Sequence, residues 1–179
     1  CIGRLTYYKG QEHLIRALRH VIGVRLLIVG AGEQRRRLAG IIAELQLADR
    51  AVLAGELTHL DLHALIETCH CLCLPSMERT EAFGMVLLEA MAHKKPVVAC
   101  DVPGSGMAWV VQDGKTGRIV PPGDSEALAT VLQTFSSDHN TMAAMGYAGW
   151  LRYRQLFGID VIGQQIREVY DEAIVGGAQ

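Results

Sequence analysis

The sequence predicts a doubly wound α/β fold, a parallel sheet of about six strands with helices on both faces and a helical C-terminal segment. Four short apolar runs, rich in β-formers, are each long enough only for a strand buried on both faces. Helical patterns separate them, and after Pro121-Pro122-Gly123 the chain reads as helix alone.

In chain order, Cys1-Ile2-Gly3-Arg4 reads as the tail of a strand. Strands follow at 26–29, 51–54, 71–74 and 96–100, with helices at about 10–21, 33–47, 59–69 and 83–93 between them. A weaker strand at 117–120 stops at the double proline. Helices then cover about 125–136, 138–155 and 160–174, with Asp124 and Asp160 as N-caps. No internal repeat, low-complexity tract or linker interrupts this order.

The 179 residues amount to one domain with a sizeable core. With 19 acidic against 17 basic residues and 50% hydrophobic positions, the composition excludes a disordered chain and carries no electrostatic footprint for nucleic acid. No apolar run of 18 residues and no signal-peptide layout occurs, so a cytoplasmic protein is expected. Five cysteines, an odd number, fit free thiols in a reducing compartment.

Ligands of such sheets bind beyond the C-terminal ends of the strands, so each following loop is a candidate. The first, Gly3-Arg4-Leu5-Thr6-Tyr7-Tyr8-Lys9-Gly10, puts two cations where they can close on one anion near a helix N-terminus. A merely solvated loop would read the same way. Gly30-Ala31-Gly32 begins a dinucleotide fingerprint, with Glu56 as a candidate ribose-gripping acid, but Arg35 stands where the third glycine belongs. This NAD-binding reading is the runner-up, and a tight turn is the plain alternative.

The strongest feature is Pro75-Ser76-Met77-Glu78-Arg79-Thr80-Glu81-Ala82-Phe83-Gly84-Met85-Val86-Leu87-Leu88-Glu89-Ala90-Met91. Glu81 precedes a helix near its positive end, and Gly84, expected in the first turn, lets a ligand approach the backbone N–H groups. Glu89 sits among apolar neighbours, where either something hydrogen-bonds its carboxylate or it occupies one narrow exposed stripe. The loop Asp101-Val102-Pro103-Gly104-Ser105-Gly106-Met107-Ala108-Trp109 offers an exposed-looking Met and Trp, either lining a pocket or, for Trp109, capping the core.

Three other groupings read as structural. Cys69, His70 and Cys71 are metal-ligand types, but on a strand His70 points away from both cysteines. His59 and His63 share a helix face near Asp61 without the glutamate of a zinc protease helix. Arg35, Arg36 and Arg37 fan around their helix and read as solvated.

From Gly3 to about Tyr170 these motifs resemble, in order, the group 1 family of retaining, nucleotide-sugar-dependent glycosyltransferases. The matching stretches include Gly3-Arg4-Leu5 with Lys9-Gly10, Val29-Gly30-Ala31-Gly32, Gly55, Leu74-Pro75-Ser76, Glu81-Ala82-Phe83-Gly84, Leu88-Glu89-Ala90-Met91-Ala92, Pro96-Val97-Val98-Ala99 and Pro122-Gly123-Asp124. The resemblance implies the Rossmann-like C-terminal half of a GT-B fold. It further implies that Glu81 contacts the transferred sugar and Glu89 the ribose hydroxyls of a nucleotide-sugar donor. Arg4 and Lys9, beside Gly3, would hold the diphosphate as its leaving-group clamp. The backbone at Phe83, Gly84, Met85 and Val86 would meet sugar and phosphate, and the base would lie near Gly55-Glu56-Leu57. No Asp-x-Asp pair occurs to hold a metal, so neither metal nor other cofactor is expected. His70, Lys94 and the long fifth loop depart from the family pattern, and the loop fits a subgroup making bacterial polysaccharides.

On this expectation residues 1–179 are a single donor-binding domain, opening inside a strand at Cys1. An N-terminal domain outside it would bind the sugar, lipid-linked or protein acceptor, with the full-length protein at the inner face of a membrane. The fragment would then bind donor without transferring. The alternative is a stand-alone nucleotide-binding or subunit-interaction module.

Overall fold

A computed structural model describes residues 1–176. A 3-10 turn, Tyr7–Lys9, leads through α1 (Gln11–Leu18), β1 (Leu26–Val29), α2 (Arg35–Glu44), β2 (Ala51–Gly55), α3 (His59–Thr68), β3 (Leu72–Leu74) and α4 (Met85–Ala92). There follow β4 (Val97–Cys100), α5 (Met107–Val110), β5 (Gly117–Val120), α6 (Ser125–Ser137), α7 (His139–Leu156) and α8 (Ile159–Gly176).

All strand pairs are parallel, β1 with β2 and β3 with β4 with β5. Each side chain of β3 and β4 is buried, which is why those runs carry no polar alternation. The strand expected at Cys1-Ile2-Gly3-Arg4 is reduced to one bridge, Ile2 beside Val29. Cys1 accepts from Val29 N–H at 2.8 Å, and Gly3 donates to Val29 O at 3.0 Å. Where β1 and β3 begin, a cavity of about 510 Å³ opens between them, lined by Cys1, Ile2, Leu26, Leu72, Cys73 and Phe135.

Two apolar clusters hold the layers together. Leu5, Ile15, Leu18, Ile28, Leu38 and Ile41 join α1 and α2 to β1. Leu74, Leu87, Met91, Val98, Leu128 and Met145 join α4, α6 and α7 to β3 and β4.

Caps fix the helix starts. Asp124 accepts from Glu126 N–H at 3.0 Å and Ala127 N–H at 2.9 Å, as its position predicts. Asp138 caps α7 through Thr141 N–H at 2.9 Å. Asp160 lies inside the first turn of α8 instead of capping it; there a carboxylate still complements the helix dipole. The short α5 lies within what the sequence shows as a glycine-rich loop, and its Met107 is fully buried, contrary to its exposed look.

Candidate functional site

The C-terminal ends of the strands carry a rim of loops packed backbone against backbone. Gly30 has φ 134°, and a Cβ there would lie 2.1 Å from Gly3 O; one on Gly32 would lie 2.4 Å from Leu5 O. Leu5 N–H donates to Ala31 O at 2.8 Å and Gln34 N–H to Leu5 O at 3.0 Å. The glycine pair therefore admits the backbone of the first loop at close approach.

The first loop is anchored on its other side as well. Buried Gln11 donates from Nε2 to Arg4 O at 2.9 Å, and Met77 N–H donates to Tyr8 O at 2.8 Å. Gly10 adopts φ 66° with Pro75 O where its Cβ would stand, so the loop after β3 lies directly on the start of α1. The consequence is chemical. Lys9 Nζ reaches across 72 positions to Glu81 Oε2, both side chains 13% exposed. Nζ also passes over Gly3, 3.4 Å from where a Cβ would be.

Glu81 has further partners. Fully buried Ser76 donates from Oγ to the same Oε2 at 3.2 Å. Ser105 donates from Oγ to the Glu81 carbonyl at 2.6 Å, and Gly106 N–H donates to Ala82 O at 2.7 Å. The first loop and the loop after β3 thus hold the carboxylate, while the loop after β4 holds the backbone around it. Arg4 remains exposed, its Nη2 3.2 Å from Tyr8 Oη.

Gly84 is the N-cap of α4, one position before its first turn, with φ 78°. A Cβ there would meet Leu87 Cδ1 at 2.8 Å and Leu74 Cδ2 at 3.0 Å. The missing side chain makes room for the core, and Gly84 stands at the N-cap and not in the first turn where the sequence reading expects it. Open amides at the start of α4 remain, because a helix's first N–H groups have no intrahelical acceptors.

Glu89 is exposed on α4, four positions after Met85, which is 61% exposed, while Leu87, Leu88, Ala90 and Met91 are buried. The narrow-stripe alternative is the one realised. Val86 and Phe83 pack partly against the core, and Phe83 also meets Trp109, ring centroids 5.9 Å apart. Trp109 is 56% exposed and stacks edge-on with Phe157 at 5.0 Å beside the Arg152 guanidinium, so it is neither core cap nor free. Leu57, 37% exposed, follows Gly55 at the end of β2.

All three arginines of the basic triplet are exposed, as their solvated reading expects, and two of them also make hydrogen bonds. Arg35 donates to Leu53 O at 3.2 Å and Arg37 to Glu12 Oε2 at 2.7 Å. His63 Nδ1 lies 3.1 Å from His93 Nε2, a contact between helices that sequence spacing does not reveal. Among the described residues no three His, Cys, Asp or Glu side chains converge as a metal-binding group. Burial pushes the Cys100 thiol up to about 12, leaving it inert. Also among the described residues, no helix is long and apolar enough to cross a membrane.

The structure therefore gathers Gly3, Arg4, Lys9, Glu81 and the Phe83–Val86 segment on one rim, with Glu89 on the adjoining helix. Ser76 and Ser105 are the residues sequence reasoning passed over. Ser76 had one available signal, a small polar residue two positions after a fully buried strand.

Comparison with known proteins identifies the family. O-antigen chain mannosyltransferase C of Escherichia coli is 30% identical over 163 residues, 89% of this chain and 42% of that protein. D-rhamnosyltransferase WbpZ of Pseudomonas aeruginosa is 33% identical over 156 residues, 87% of this chain and 40% of that protein. The crystal structure of Anabaena Alr3699/HepE in complex with UDP superposes with a TM-score of 0.89 at 30% identity, over 96% of this chain and 47% of that one. Its complex with UDP-glucose gives 0.86 at 30% identity, over 96% and 48%. The chain thus spans less than half the length of these relatives. The family model described as glycosyl transferases group 1 matches residues 1–151, and with the parallel α/β fold of a GT-B domain, the chain belongs to that family.

Proposed function

We propose that this chain is the donor-binding domain of a retaining glycosyltransferase that moves a sugar from a nucleotide diphosphate onto an acceptor. The observation that carries the reading is the Lys9–Glu81 pair, an ammonium and a carboxylate brought together beside Arg4 and the start of α4. The relatives' names, which include mannosyl and rhamnosyl transfer, and the UDP and UDP-glucose bound by the Anabaena protein support it.

Breaking a glycosyl–phosphate bond leaves a diphosphate whose negative charge must be stabilised as it develops. Arg4, Lys9 and the α4 amides supply fixed positive charge and dipoles there without a metal ion. Glu81 accepts from a sugar hydroxyl and steadies positive charge near the anomeric carbon. Glu89, exposed and with no side-chain partner among the described residues, accepts from the ribose hydroxyls, with the base against Gly55-Glu56-Leu57. The acceptor, a growing glycan or a lipid-linked or protein substrate, is bound by a separate N-terminal domain, so this chain alone binds donor and transfers nothing.

Calorimetric titration with UDP, GDP and ADP and with their sugar derivatives tests this. At least one diphosphate should bind with a stoichiometry near one. No binding by any of them to the folded chain would overturn the reading.

A further inference from the structure

Glu81 is asymmetrically held. Both side-chain donors that reach it, Lys9 Nζ and Ser76 Oγ, end on Oε2, and no recorded hydrogen bond of the described residues ends on Oε1. We propose that Ser76 is a positioning residue that fixes the Glu81 carboxylate so that Oε1 is the oxygen presented to the donor sugar. This rests on the donor-binding function proposed above and names the residue on which its sugar contact depends.

The physical argument turns on what happens to Lys9 when a diphosphate arrives. An ammonium has three donors on a flexible stem, and a dianionic neighbour draws it toward itself, loosening its hold on the carboxylate. Ser76 has no such distraction. Its side chain is buried, it follows β3 through Pro75, and Pro75 O is packed against Gly10. Its hydroxyl therefore keeps donating to Oε2 throughout, and it is neutral, so it adds no charge that would compete with Lys9 for phosphate. The Glu81 backbone is separately fixed by Ser105 Oγ on the carbonyl, which leaves rotation of the carboxylate as the freedom Ser76 removes. Without it, Glu81 can turn its charge away from the diphosphate and lose the alignment of Oε1.

The test compares two ratios. Affinities for UDP and UDP-glucose, and for GDP and GDP-mannose, are measured by calorimetry for the 179-residue chain and its Ser76→Ala variant. Ser76→Ala should weaken the nucleotide-sugar about tenfold, the scale of one hydrogen bond to a charged group, while changing the bare diphosphate less than twofold. In a Glu81→Ala background the same substitution should add less than twofold, because its effect passes through the carboxylate. Equal weakening of diphosphate and nucleotide-sugar, an unchanged ratio, or full additivity with Glu81→Ala would each overturn the proposal. Failure of the unsubstituted chain to bind any diphosphate would instead overturn the donor-binding function on which the proposal rests.

Discussion

Glu81 and Glu89 flank the start of one helix and live under opposite regimes. Glu81 is mostly buried, its carboxylate tied by Lys9 and Ser76 and its carbonyl by Ser105. Glu89 stands one turn beyond Met85 on the exposed stripe of α4, with no side-chain partner recorded among the described residues. The first carboxylate has lost its rotamer freedom and part of its hydration during folding. The second meets those costs only when a ligand arrives. Such a division suits a site in which one group must be aligned to a fraction of an ångström and another need only grip. It also means that substitutions at the two positions should separate stability from binding.

The sharpest way to break the comparison is Lys9→Ala. That change leaves the half-buried Glu81 charge with Ser76 alone and removes a cation from the proposed diphosphate clamp. It should cost about 1–3 kcal/mol of folding stability and weaken UDP or GDP binding by at least tenfold. Urea unfolding and calorimetry on the same preparation check both. An unchanged midpoint would mean that the Lys9–Glu81 contact contributes nothing to the fold and that the two carboxylates are not in different regimes.

Glu89→Ala is the complementary probe. An exposed, unpartnered side chain in a helix interior replaced by the best helix former should leave stability within about 0.5 kcal/mol. Diphosphate nucleotide binding should nevertheless weaken by about 1–3 kcal/mol, the range of a charge-assisted hydrogen bond. Loss of stability with binding intact would reverse the roles assigned to the two glutamates.

How much of this was legible in the sequence follows from the range over which each signal acts. Strands such as β3 and β4 announce themselves because burial on both faces writes a continuous apolar run. Asp124 is visible as a cap because the hydrogen bonds that define it span only three positions. The Lys9–Glu81 contact spans 72 positions and leaves no local trace; the resemblance assigns both residues to one donor site without giving their contact. Gly84 was legible as a glycine at a helix start, but its φ of 78° and the leucines behind it are properties of packing that no local pattern shows. Glu89 was ambiguous because an apolar helix conceals which stripe faces outward until its neighbours are placed. Met107 and α5 were missed because a single helical turn closed under a loop has too few residues to show a period.

A third carboxylate sharpens the contrast at its weak end. Glu12 on α1 accepts from Arg16 at 3.0 and 3.1 Å and from Arg37 at 2.7 Å, tying α1 to α2 at the surface. Burial alone would raise its pKa, but the Arg16 and Arg37 hydrogen bonds and charges outweigh it and hold the carboxyl below the usual carboxylate range. A group whose pKa is depressed by folding contributes stability above its unfolded value, and the contribution disappears as pH falls through the folded one. Because both arginines are substantially exposed, solvent screening limits the whole cluster to about 0.5–1 kcal/mol. Glu12→Gln should therefore lower the urea midpoint slightly at pH 7, and the gap to the unsubstituted chain should close as pH falls below the usual carboxylate range. Nucleotide affinity should stay unchanged at neutral pH. A gap between the two midpoints that persisted or widened in acid would mean that Glu12 acts through packing of its methylenes and not through its charge.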